Sequence, residues 1–444
     1  MADRIVIKKN FKYRLYPNAA QIVAIDGQLA EACRLYNAAV QERRDAYRVS
    51  HKSINYCDQA NQLKEIRAAG DLTLANFSCC QDVLRRVDKA FNAFFGRVQN
   101  GQKPGYPRFR PVSRYDSVTF PSYGAGCKML DNAKLRLQGV GAIKIKAHRP
   151  IEGKIKTVTV KREAGRWYAV LSVECEPKNL PASAEKVGLD VGLTAFATLS
   201  DGTEIENPRY YKEAHAKLRR AQRTVARRKR GSNNQKKAVR DLQRAHAHVR
   251  NQRADFAHKV ARMLVALFGL IVIEQLNIKV LAAGMLAKSV NDAGWSSFIA
   301  KLAYKAEEAG RVLLKVKPRG TSQRCICGAP NPKTLSQRWR YCANCGLSVP
   351  RDHASALEIL RLGLSLLGGT WPVAASVPER SRLALADGVV TKFQSYRSSS
   401  SFFLHPMNLL THSRRSMRMR RTDVCTERTT TRATGSAGIS QVEQ

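Results

Sequence analysis

The chain has 444 residues, of which 44% are hydrophobic, so it is long enough for two or three domains with apolar cores. Its 76 Lys and Arg residues outnumber 35 Asp and Glu residues, and a formal net charge of +41 favours a polyanionic partner such as DNA or RNA. The longest apolar run, residues 263–273, is too short to span a membrane, and the N-terminus lacks a signal-peptide core, so we expect a cytoplasmic protein with no membrane partner.

The first hundred residues predict one strand and a helical unit. Residues 5–16 alternate apolar and basic side chains from Asn10 onward, which is typical of a strand with one wet, positive face. Apolar residues then recur at helical spacing through residues 19–40 and again through residues 72–98.

Glycine and proline interrupt this pattern at residues 101–111, and the apolar period then falls to two. Short strands bounded by glycines are typical of a small β-barrel. The predicted strands are 118–120, 135–137, 142–147, 157–161 and 167–175. If the strand at residues 5–16 belongs to this barrel, the helices of residues 18–98 are an insertion in it.

Residues 186–367 alternate strands with helices, which favours an α/β core of ribonuclease H type around acidic strand ends. The predicted elements are a hairpin turning at residues 200–202, basic helices from Tyr211 to about Leu267 with a break at 231–234, a strand at 270–274, a helix at 295–310, a strand at 311–316 and a helix at 354–367. Residues 368–444 hold Ser and Thr runs without sustained apolar periodicity, so we expect a disordered basic tail.

Three acids end or interrupt apolar runs: Asp190, Glu274 and Asp352. Such acids are costly to desolvate without a positive partner, so together they predict a shared cation. Mg²⁺ prefers carboxylate oxygens, and two such ions can support phosphodiester hydrolysis. Each acid taken singly could instead be a hydrogen-bonded structural residue.

Four cysteines lie between Glu274 and Asp352. Cys325 and Cys327 form one pair and Cys342 and Cys345 a second, each followed by Gly, as in the two knuckles of a zinc ribbon. The first pair is one residue shorter than the usual spacing. Reduced cysteines in a loop are the alternative, because a disulfide framework is not expected in a reducing compartment.

Basic and aromatic residues mark candidate nucleic-acid contacts. Residues 209–253 carry 16 Lys and Arg against two acids, which favours phosphate contacts over a solvated face of mixed charge. The segment at residues 103–110 could stack on bases or form a rigid turn into the barrel. The predicted contacts are Arg14, Tyr106, Arg108, Phe109, Arg219, Arg220, Arg223, Arg227, Arg228, Lys229, Arg230, Lys236 and Lys237. A histidine such as His258, within Asp255-Phe-Ala-His-Lys259, or His353, next to Asp352, is more often structural than catalytic.

Eight short patterns, taken in order, resemble the signatures of one family. They are Tyr13-Arg-Leu-Tyr-Pro17, Gly105-Tyr-Pro-Arg-Phe109, Gly188-Leu-Asp-Val-Gly-Leu193, Asp255-Phe-Ala-His-Lys259, Ile271-Val-Ile-Glu-Gln-Leu-Asn277, Thr321-Ser-Gln-Arg-Cys325, Cys342-Ala-Asn-Cys-Gly346 and Arg351-Asp352. From about residue 5 to residue 367 the chain thus resembles TnpB, the insertion-sequence-encoded relatives of the type V CRISPR nucleases.

The resemblance implies an α+β multidomain fold: a wedge-type β-barrel with an inserted helical recognition lobe, then an RNase H-like (RuvC) nuclease domain with a zinc-ribbon insertion. The corresponding domains would be residues 1–17 and 104–183 for the barrel, 18–103 for the lobe, 184–367 for the nuclease with its ribbon at 321–348, and 368–444 for the tail. Asp190, Glu274 and Asp352 would bind Mg²⁺, and Cys325, Cys327, Cys342 and Cys345 would bind Zn²⁺.

The partners implied by the resemblance are a guide RNA transcribed from the element and double-stranded target DNA. The basic surfaces would bind the guide, the recognition and wedge parts would read a short flanking motif, and one RuvC site would cut both strands. A monomer or weak dimer in the prokaryotic cytoplasm, associated with the nucleoid, is expected.

Two positions depart from the family pattern. The first cysteine pair is short, and the asparagine usually found two residues after the last acid is replaced in Asp352-His-Ala354. An RNA-guided DNA-binding protein with impaired cutting, acting as a repressor or remnant, is therefore the alternative function. A conventional transposase is disfavoured, since its reaction does not require a zinc ribbon between the second and third acids or a barrel with a helical insertion.

Overall fold

The computed structural model describes residues 6–318, 323–332 and 337–368. Residues 369–444 of the predicted tail lie outside the described residues. In the described part of the chain, no helix combines the length and the apolar character that crossing a membrane would require.

Seven antiparallel strands form the first sheet, which is a nearly closed barrel. They are β1 (Ile7–Tyr16), β2 (Ser117–Phe120), β3 (Cys127–Leu130), β4 (Lys134–Leu137), β5 (Gly141–Lys146), β6 (Lys154–Glu163) and β7 (Arg166–Cys175), arranged in the order β2-β6-β7-β1-β5-β4-β3. β1 pairs with β7 from Ile7 opposite Cys175 to Leu15 opposite Trp167. The N-terminal strand therefore belongs to the barrel, as predicted, and β3 is a strand that the sequence pattern did not indicate.

The two faces of β1 explain its alternating sequence. Phe11, Tyr13 and Leu15 are buried in the core, while Lys12 and Tyr16 are exposed on the outside. Because successive side chains in a strand point to opposite faces, this alternation leaves a basic and aromatic outer surface.

Three helices are inserted between β1 and β2: α1 (Ala19–Ser50), α2 (Tyr56–Ala68) and α3 (Phe77–Gln99), followed by a short 3-10 turn at Val112–Arg114. Asn18 starts α1 with a capping box, in which its side chain and that of Gln21 each accept a backbone N–H hydrogen bond. The apolar faces of these helices share one core with the barrel, so the insertion packs directly on the sheet.

The second sheet has the strand order β10-β9-β8-β11-β12. Its strands are β8 (Lys186–Val191), β9 (Ala195–Leu199), β10 (Glu204–Glu206), β11 (Leu270–Glu274) and β12 (Val312–Val316). β8, β11 and β12 are parallel, whereas β9 and β10 continue antiparallel from β8. This mixed α/β arrangement agrees with the predicted nuclease core.

Helices surround this sheet on both faces. They are α4 (Tyr210–Arg227), α5 (Asn233–Leu267), α6 (Ile278–Leu281), α7 (Ala287–Ala293), α8 (Trp295–Ala309) and α9 (Arg351–Leu366), and a small hairpin of β13 (Trp339–Tyr341) and β14 (Ser348–Pro350) precedes α9. α5 and α8 pack on the side chains of Val187, Leu189, Ile271 and Ile273. α9 lies on the opposite face, against Leu270 and Val272.

α9 approaches β8 at the level of the backbone. A Cβ atom added to Gly188 would collide with the carbonyl oxygen of Ala356 and would lie 2.8 Å from the backbone nitrogen of Leu360. Gly363 makes a similar approach to the side chain of Val272. Glycine is therefore required on both sides of this helix–sheet contact.

The predicted hairpin turn at Ser200–Gly202 is confirmed, since it joins β9 to β10. The region is nevertheless a three-stranded meander rather than one hairpin, because residues 192–194 also join β8 to β9. The last helix begins at Arg351 rather than Ala354, because Pro350 occupies the N-cap position with an extended ψ of 147°. The domain boundaries stay a prediction.

Gly188→Ala tests the contact between β8 and α9. The new methyl group would force the helix backbone away, and we expect a loss of about 1–3 kcal/mol in the free energy of unfolding, measured by chemical denaturation. Gly96→Ala in α3 is the matched control, because nothing lies within 4 Å of a Cβ atom added there. Equal stability of the two variants would contradict the close packing.

Candidate metal centres and nucleic-acid surfaces

Asp190 and Glu274 lie side by side on neighbouring parallel strands. The register pairs Leu189 of β8 with Ile273 of β11, and each acid is the next residue along its strand. Parallel neighbours are about 4.8 Å apart. Asp190 shares the face of Gly188, and Glu274 that of Val272, so both acids lie on the sheet face that α9 covers.

α9 brings the third acid to the same face. Asp352 is in the first turn of the helix, one turn before Ala356, which contacts Gly188. Its carboxylate accepts a hydrogen bond from Nε of Arg351 at 3.0 Å, and its side chain is 33% exposed. A carboxylate in the first helical turn is also favoured by the helix dipole.

The start of α9 is held by the residue next to Asp352. His353 is buried, and its Nε2 donates to the carbonyl oxygen of Ser200 at 3.1 Å, in the turn after β9. Gly202 lies against the same imidazole ring. His353 therefore has a structural contact that fixes the helix start on the sheet.

Among the described residues, the carboxylate oxygens of Asp190, Glu274 and Asp352 do not all lie within 4.8 Å of one another, whereas the sulfur atoms of the four cysteines do. Two carboxylates on one Mg²⁺ can be at most about 4.2 Å apart, since each bond is about 2.1 Å. Acids that flank two ions about 4 Å apart can be farther from one another. In the described residues, the three acids therefore do not form a compact group of the kind that the cysteines form.

An open cleft of about 630 Å³ adjoins Glu274. Its walls include residues 273–279, which follow β11, together with Ser296 of α8 and Lys315 of β12. Lys279 and Lys315 place two positive charges on the walls of this cleft. A polyanion could therefore approach Glu274 from this side.

The four cysteines form a compact cluster. The Sγ atoms of Cys325 and Cys345 are 3.5 Å apart and those of Cys327 and Cys342 are 3.8 Å apart, and all four lie within 4.8 Å of one another. Thiolates around a tetrahedral zinc are separated by roughly 3.8 Å, given Zn–S bonds of about 2.3 Å. The cluster fits zinc, and the short spacing of the first pair does not prevent this geometry.

Ionisation in this cluster is uneven. Burial opposes ionisation of the Cys327 thiol, but hydrogen bonds from the Asn344 amide, the backbone of Ala329 and the thiols of Cys345 and Cys342 lower its pKa to about 6. Burial raises the pKa of Cys325. Asn344 lies 3.5 Å from the Cys327 sulfur, so its amide would orient and stabilise that ligand.

The cysteine cluster packs on the first turns of α9. Cys325 and Cys342 share a small core with Val349, Ala354 and Leu357. β14 ends at Pro350, and the backbone N–H of Arg351 donates to the carbonyl of Arg338 at 2.9 Å. The cluster and Asp352 are therefore joined through one short stretch of backbone.

The predicted basic contacts of residues 219–237 lie on the hairpin of α4 and α5. All nine side chains are exposed, and no ion pair involves them in the part of the chain that the structure describes. They are Arg219, Arg220, Arg223, Arg227, Arg228, Lys229, Arg230, Lys236 and Lys237. The hairpin therefore presents uncompensated positive charge to solvent.

One buried acid that the sequence did not indicate holds this hairpin. Asp292 of α7 accepts hydrogen bonds from the backbone N–H groups of Tyr211 and Lys212 and from the guanidinium of Arg253. At the barrel, Glu163 pairs with Lys12 at 2.6 Å and with Arg250 of α5. Neither acid belongs to a local motif, so only the tertiary structure reveals them.

The remaining predicted contacts lie on the barrel and the helical insertion. The guanidinium of Arg14 is about equally distant from the rings of Tyr16 (5.5 Å) and Tyr168 (5.4 Å). Tyr106 packs edge-on against Phe91 and Phe94 of α3. Phe109 lies under the guanidinium of Arg44, and Arg108 is exposed. The segment at residues 103–110 is thus fixed on the helices and remains partly accessible.

The cysteine hairpin also exposes two aromatic rings. Trp339 and Tyr341 are 61% and 65% exposed and, two residues apart on β13, share one face. The indole N–H of Trp339 donates to Ser348 at 2.9 Å. Exposed rings two residues apart on a strand suit stacking on unpaired bases. The alternation Trp-Arg-Tyr at residues 339–341 is the sequence signal for such a surface.

Three family profiles match the chain. Residues 170–283 match a family described as "Probable transposase", and residues 295–359 match "Cas12f1-like, TNB domain". Residues 1–52 match "Helix-turn-helix domain". Within residues 6–52, the described part of that range, the structure has strand β1 and one helix, α1, rather than the two helices that this description names.

Relatives match over most of the chain. A protein of Streptomyces pristinaespiralis named as an RNA-guided DNA endonuclease is 32% identical over 369 residues, which is 81% of this chain and 90% of the relative. InsQ of Escherichia coli K12, with the same description, is 32% identical over 80% of this chain and 92% of its own length. A solved Cas12f1–sgRNA–target DNA complex has the same fold, with a TM-score of 0.52 at 14% identity over 80% of this chain and 98% of that protein.

Cys342→Ser tests the cysteine cluster. The purified chain should contain about one zinc ion and the variant much less, because a serine oxygen is a poor substitute for a thiolate ligand. Metal content by atomic emission checks this, and chelation should lower the melting temperature of the natural chain more than that of the variant. Cys57→Ser, at an exposed cysteine outside the cluster, is the control and should retain zinc. Equal zinc content in the two variants would rule out the cluster as the site.

Proposed function

Because this chain belongs to the TnpB-type family of RNA-guided DNA endonucleases from insertion sequences, we propose that it cuts target DNA selected by a bound guide RNA. Sequence would be read by pairing between guide and target, while the protein recognises the shape of the hybrid duplex and a short flanking motif. The guide is expected to be transcribed from the element itself. We propose that the chain acts as a monomer or weak dimer in the prokaryotic cytoplasm, at the nucleoid.

One observation carries the catalytic part of the proposal: Asp190 and Glu274 are adjacent on one sheet face, under the helix that starts with Asp352. We propose that these carboxylates are the Mg²⁺ ligands of a RuvC-type site. Two divalent ions supply activation of the attacking water and stabilisation of the leaving oxygen when bound. The three side chains hold the ions, and the cleft beside Glu274 admits the DNA backbone.

The roles of the basic surfaces follow from charge and exposure. The α4–α5 hairpin offers nine exposed cations for the phosphates of a guide RNA. Arg14 on β1, and Tyr106, Arg108 and Phe109 in the segment that packs on α1 and α3, would also contact nucleic acid. We propose residues 18–103 as the recognition lobe, residues 1–17 and 104–183 as the wedge, and residues 184–367 as the nuclease with its ribbon at 321–348.

Zinc in the cysteine cluster would have a structural role. Four thiolates complete a tetrahedral shell and leave no position for water, so the cluster cannot act on a substrate directly. Its packing against Ala354 and Leu357 supports the start of α9, where Asp352 lies. We propose that zinc stabilises the position of the third acid.

The alternative, a guide-dependent binding protein that no longer cuts, would need a defect in the acid site. All three carboxylates are present on the expected elements, and Ala354, at the position of the missing asparagine, is buried beneath the cysteine cluster. No observation favours the impaired alternative.

Asp190→Asn, Glu274→Gln and Asp352→Asn should each lower the rate of Mg²⁺-dependent cleavage by at least about 100-fold, since each removes a metal-binding charge worth several kcal/mol. The measurement is cleavage of a plasmid carrying a guide-matched target beside randomised flanks, with Mg²⁺ or with a chelator. Bound RNA, sequenced after purification, should be unchanged in all three variants.

Glu204→Gln is the matched control, because Glu204 is an exposed acid of β10 in the same sheet. It should cut at the natural rate. Cleavage that survives Asp190→Asn would refute the proposed metal site. If no RNA co-purifies with the natural chain, the proposal of an RNA guide would be refuted. RNA-bound protein that never cuts would favour the binding-only alternative.

A further inference from the structure

Two helices present aligned polar stripes outside the sites described above. On α8, Lys301, Tyr304, Lys305 and Glu308 recur at helical spacing beside the buried stripe of that helix. On α5, His258 and Arg262 are one turn apart. The hydroxyl of Tyr304 is 3.2 Å from Nδ1 of His258, so the two stripes lie side by side.

The barrel adds two cations to these stripes. Lys9 of β1 pairs with Glu308 at 2.5 Å and has only 19% of its side chain exposed. Arg149, in the loop after β5, lies with its guanidinium 4.4 Å from the ring of Phe11. We call the set the α5–α8 cation cluster; its members are Lys9, Arg149, His258, Arg262, Lys301 and Lys305.

Positive charge in this cluster is poorly compensated. Glu308 is engaged by Lys9, and Asp255 of α5 is engaged by Lys259 at 2.8 Å. In the ranges described, no ion pair involves Arg149, Arg262, Lys301 or Lys305. Lys301 donates to the hydroxyl of Ser297 at 2.6 Å, which is a neutral partner.

The two unpaired lysines are also half-buried. Burial lowers the pKa of Lys305, and Arg262, Lys9 and Arg149 lower it further, against the opposing effect of Glu308. Burial lowers the pKa of Lys301 as well, and the pKa of His258 is lowered by burial and then by Lys305 and Lys301. Half-buried cations without a counter-charge are unfavourable, so the convergence of the cluster's cations from α5, α8 and the barrel indicates an anionic ligand.

We propose that the α5–α8 cation cluster binds backbone phosphate groups of the nucleic acid held by this chain. The inference rests on the proposed function, in which the chain holds RNA and DNA, and it assigns a contact outside the basic α4–α5 hairpin. A phosphodiester supplies the missing negative charge and accepts hydrogen bonds from several ammonium and guanidinium groups at once. Lys9 and Arg149 would contact the same strand as Lys301 and Lys305, which would link the barrel to the nuclease core.

Lys301→Ala/Lys305→Ala in the full chain tests the proposal. Binding of a labelled single-stranded RNA and of a labelled DNA duplex is measured by anisotropy across a series of salt concentrations. The slope of log K against log salt should become shallower by about 0.7 to 0.9 for each phosphate that the variant no longer neutralises, and affinity at low salt should fall roughly tenfold. A change in the RNA series assigns the phosphate to RNA, and a change in the duplex series assigns it to DNA.

Two control variants make the outcome specific. Lys301→Arg/Lys305→Arg keeps both charges and should restore the salt slope. Lys64→Ala/Lys128→Ala removes two exposed lysines from α2 and β3 and should change the slope less. Equal slopes for the two alanine doubles would overturn the proposal.

Thermal unfolding separates a binding role from a structural one. Without nucleic acid, Lys301→Ala/Lys305→Ala should melt at or above the temperature of the natural chain, because two half-buried like charges are removed. A lower melting temperature with unchanged affinity would make the lysines structural and overturn the proposal. Neither binding nor melting requires DNA cleavage, so a chain that binds nucleic acid without cutting it would still test the phosphate contact. Loss of cutting would count against the proposed function alone.

Discussion

The contact between α9 and β8 is the constraint on which the rest of the candidate site depends. At Gly188 the helix backbone lies where any side chain would be, so the position of α9 over the sheet is fixed closely. Asp190 is two residues further along β8, and Asp352 is one turn from the contact. The cysteine cluster packs on the same helix near its start. A single helix therefore connects the sheet that carries two acids with the cluster that supports the third.

Charge imposes a second constraint, because repulsion among the many cations opposes the close packing of the first. A net charge of +41 implies strong mutual repulsion, and among the residues that the structure describes many exposed cations of the α4–α5 hairpin form no ion pair. The few acids are placed where separate parts must be joined: Glu163 and Glu308 link the barrel to α5 and α8, and Asp292 holds the start of α4. The free chain is thus expected to be less stable than its complex with a polyanion, which supplies the missing counter-charge.

The sequence predicted the elements with strong periodicity, because burial of a stripe or an alternating face follows directly from residue order. β11, α8 and the barrel strands other than β3 were placed within a few residues. β3 and α2 were missed, since their apolar patterns are short or weak. The start of α9 was misplaced because Pro350 and Arg351 do not resemble a usual cap. The adjacency of Asp190 and Glu274 depends on strand register. The contacts of Asp292 and the α5–α8 cation cluster depend on tertiary packing. Local spacing in the sequence therefore could not predict any of them.

The two departures from the family pattern acquire a common explanation in the structure. The shortened Cys325–Cys327 pair still reaches its partners in the second knuckle, at sulfur separations of 3.5 and 3.8 Å. Ala354, which stands in place of the usual asparagine, is only 1% exposed and lies in the core shared by Cys325, Cys342 and Leu357. An asparagine there would bury its amide among apolar groups and sulfurs, at a cost unless it found partners. A small apolar residue instead lets the tighter knuckle pack directly on the helix, so both changes preserve the support of Asp352 and need not mark a decayed site.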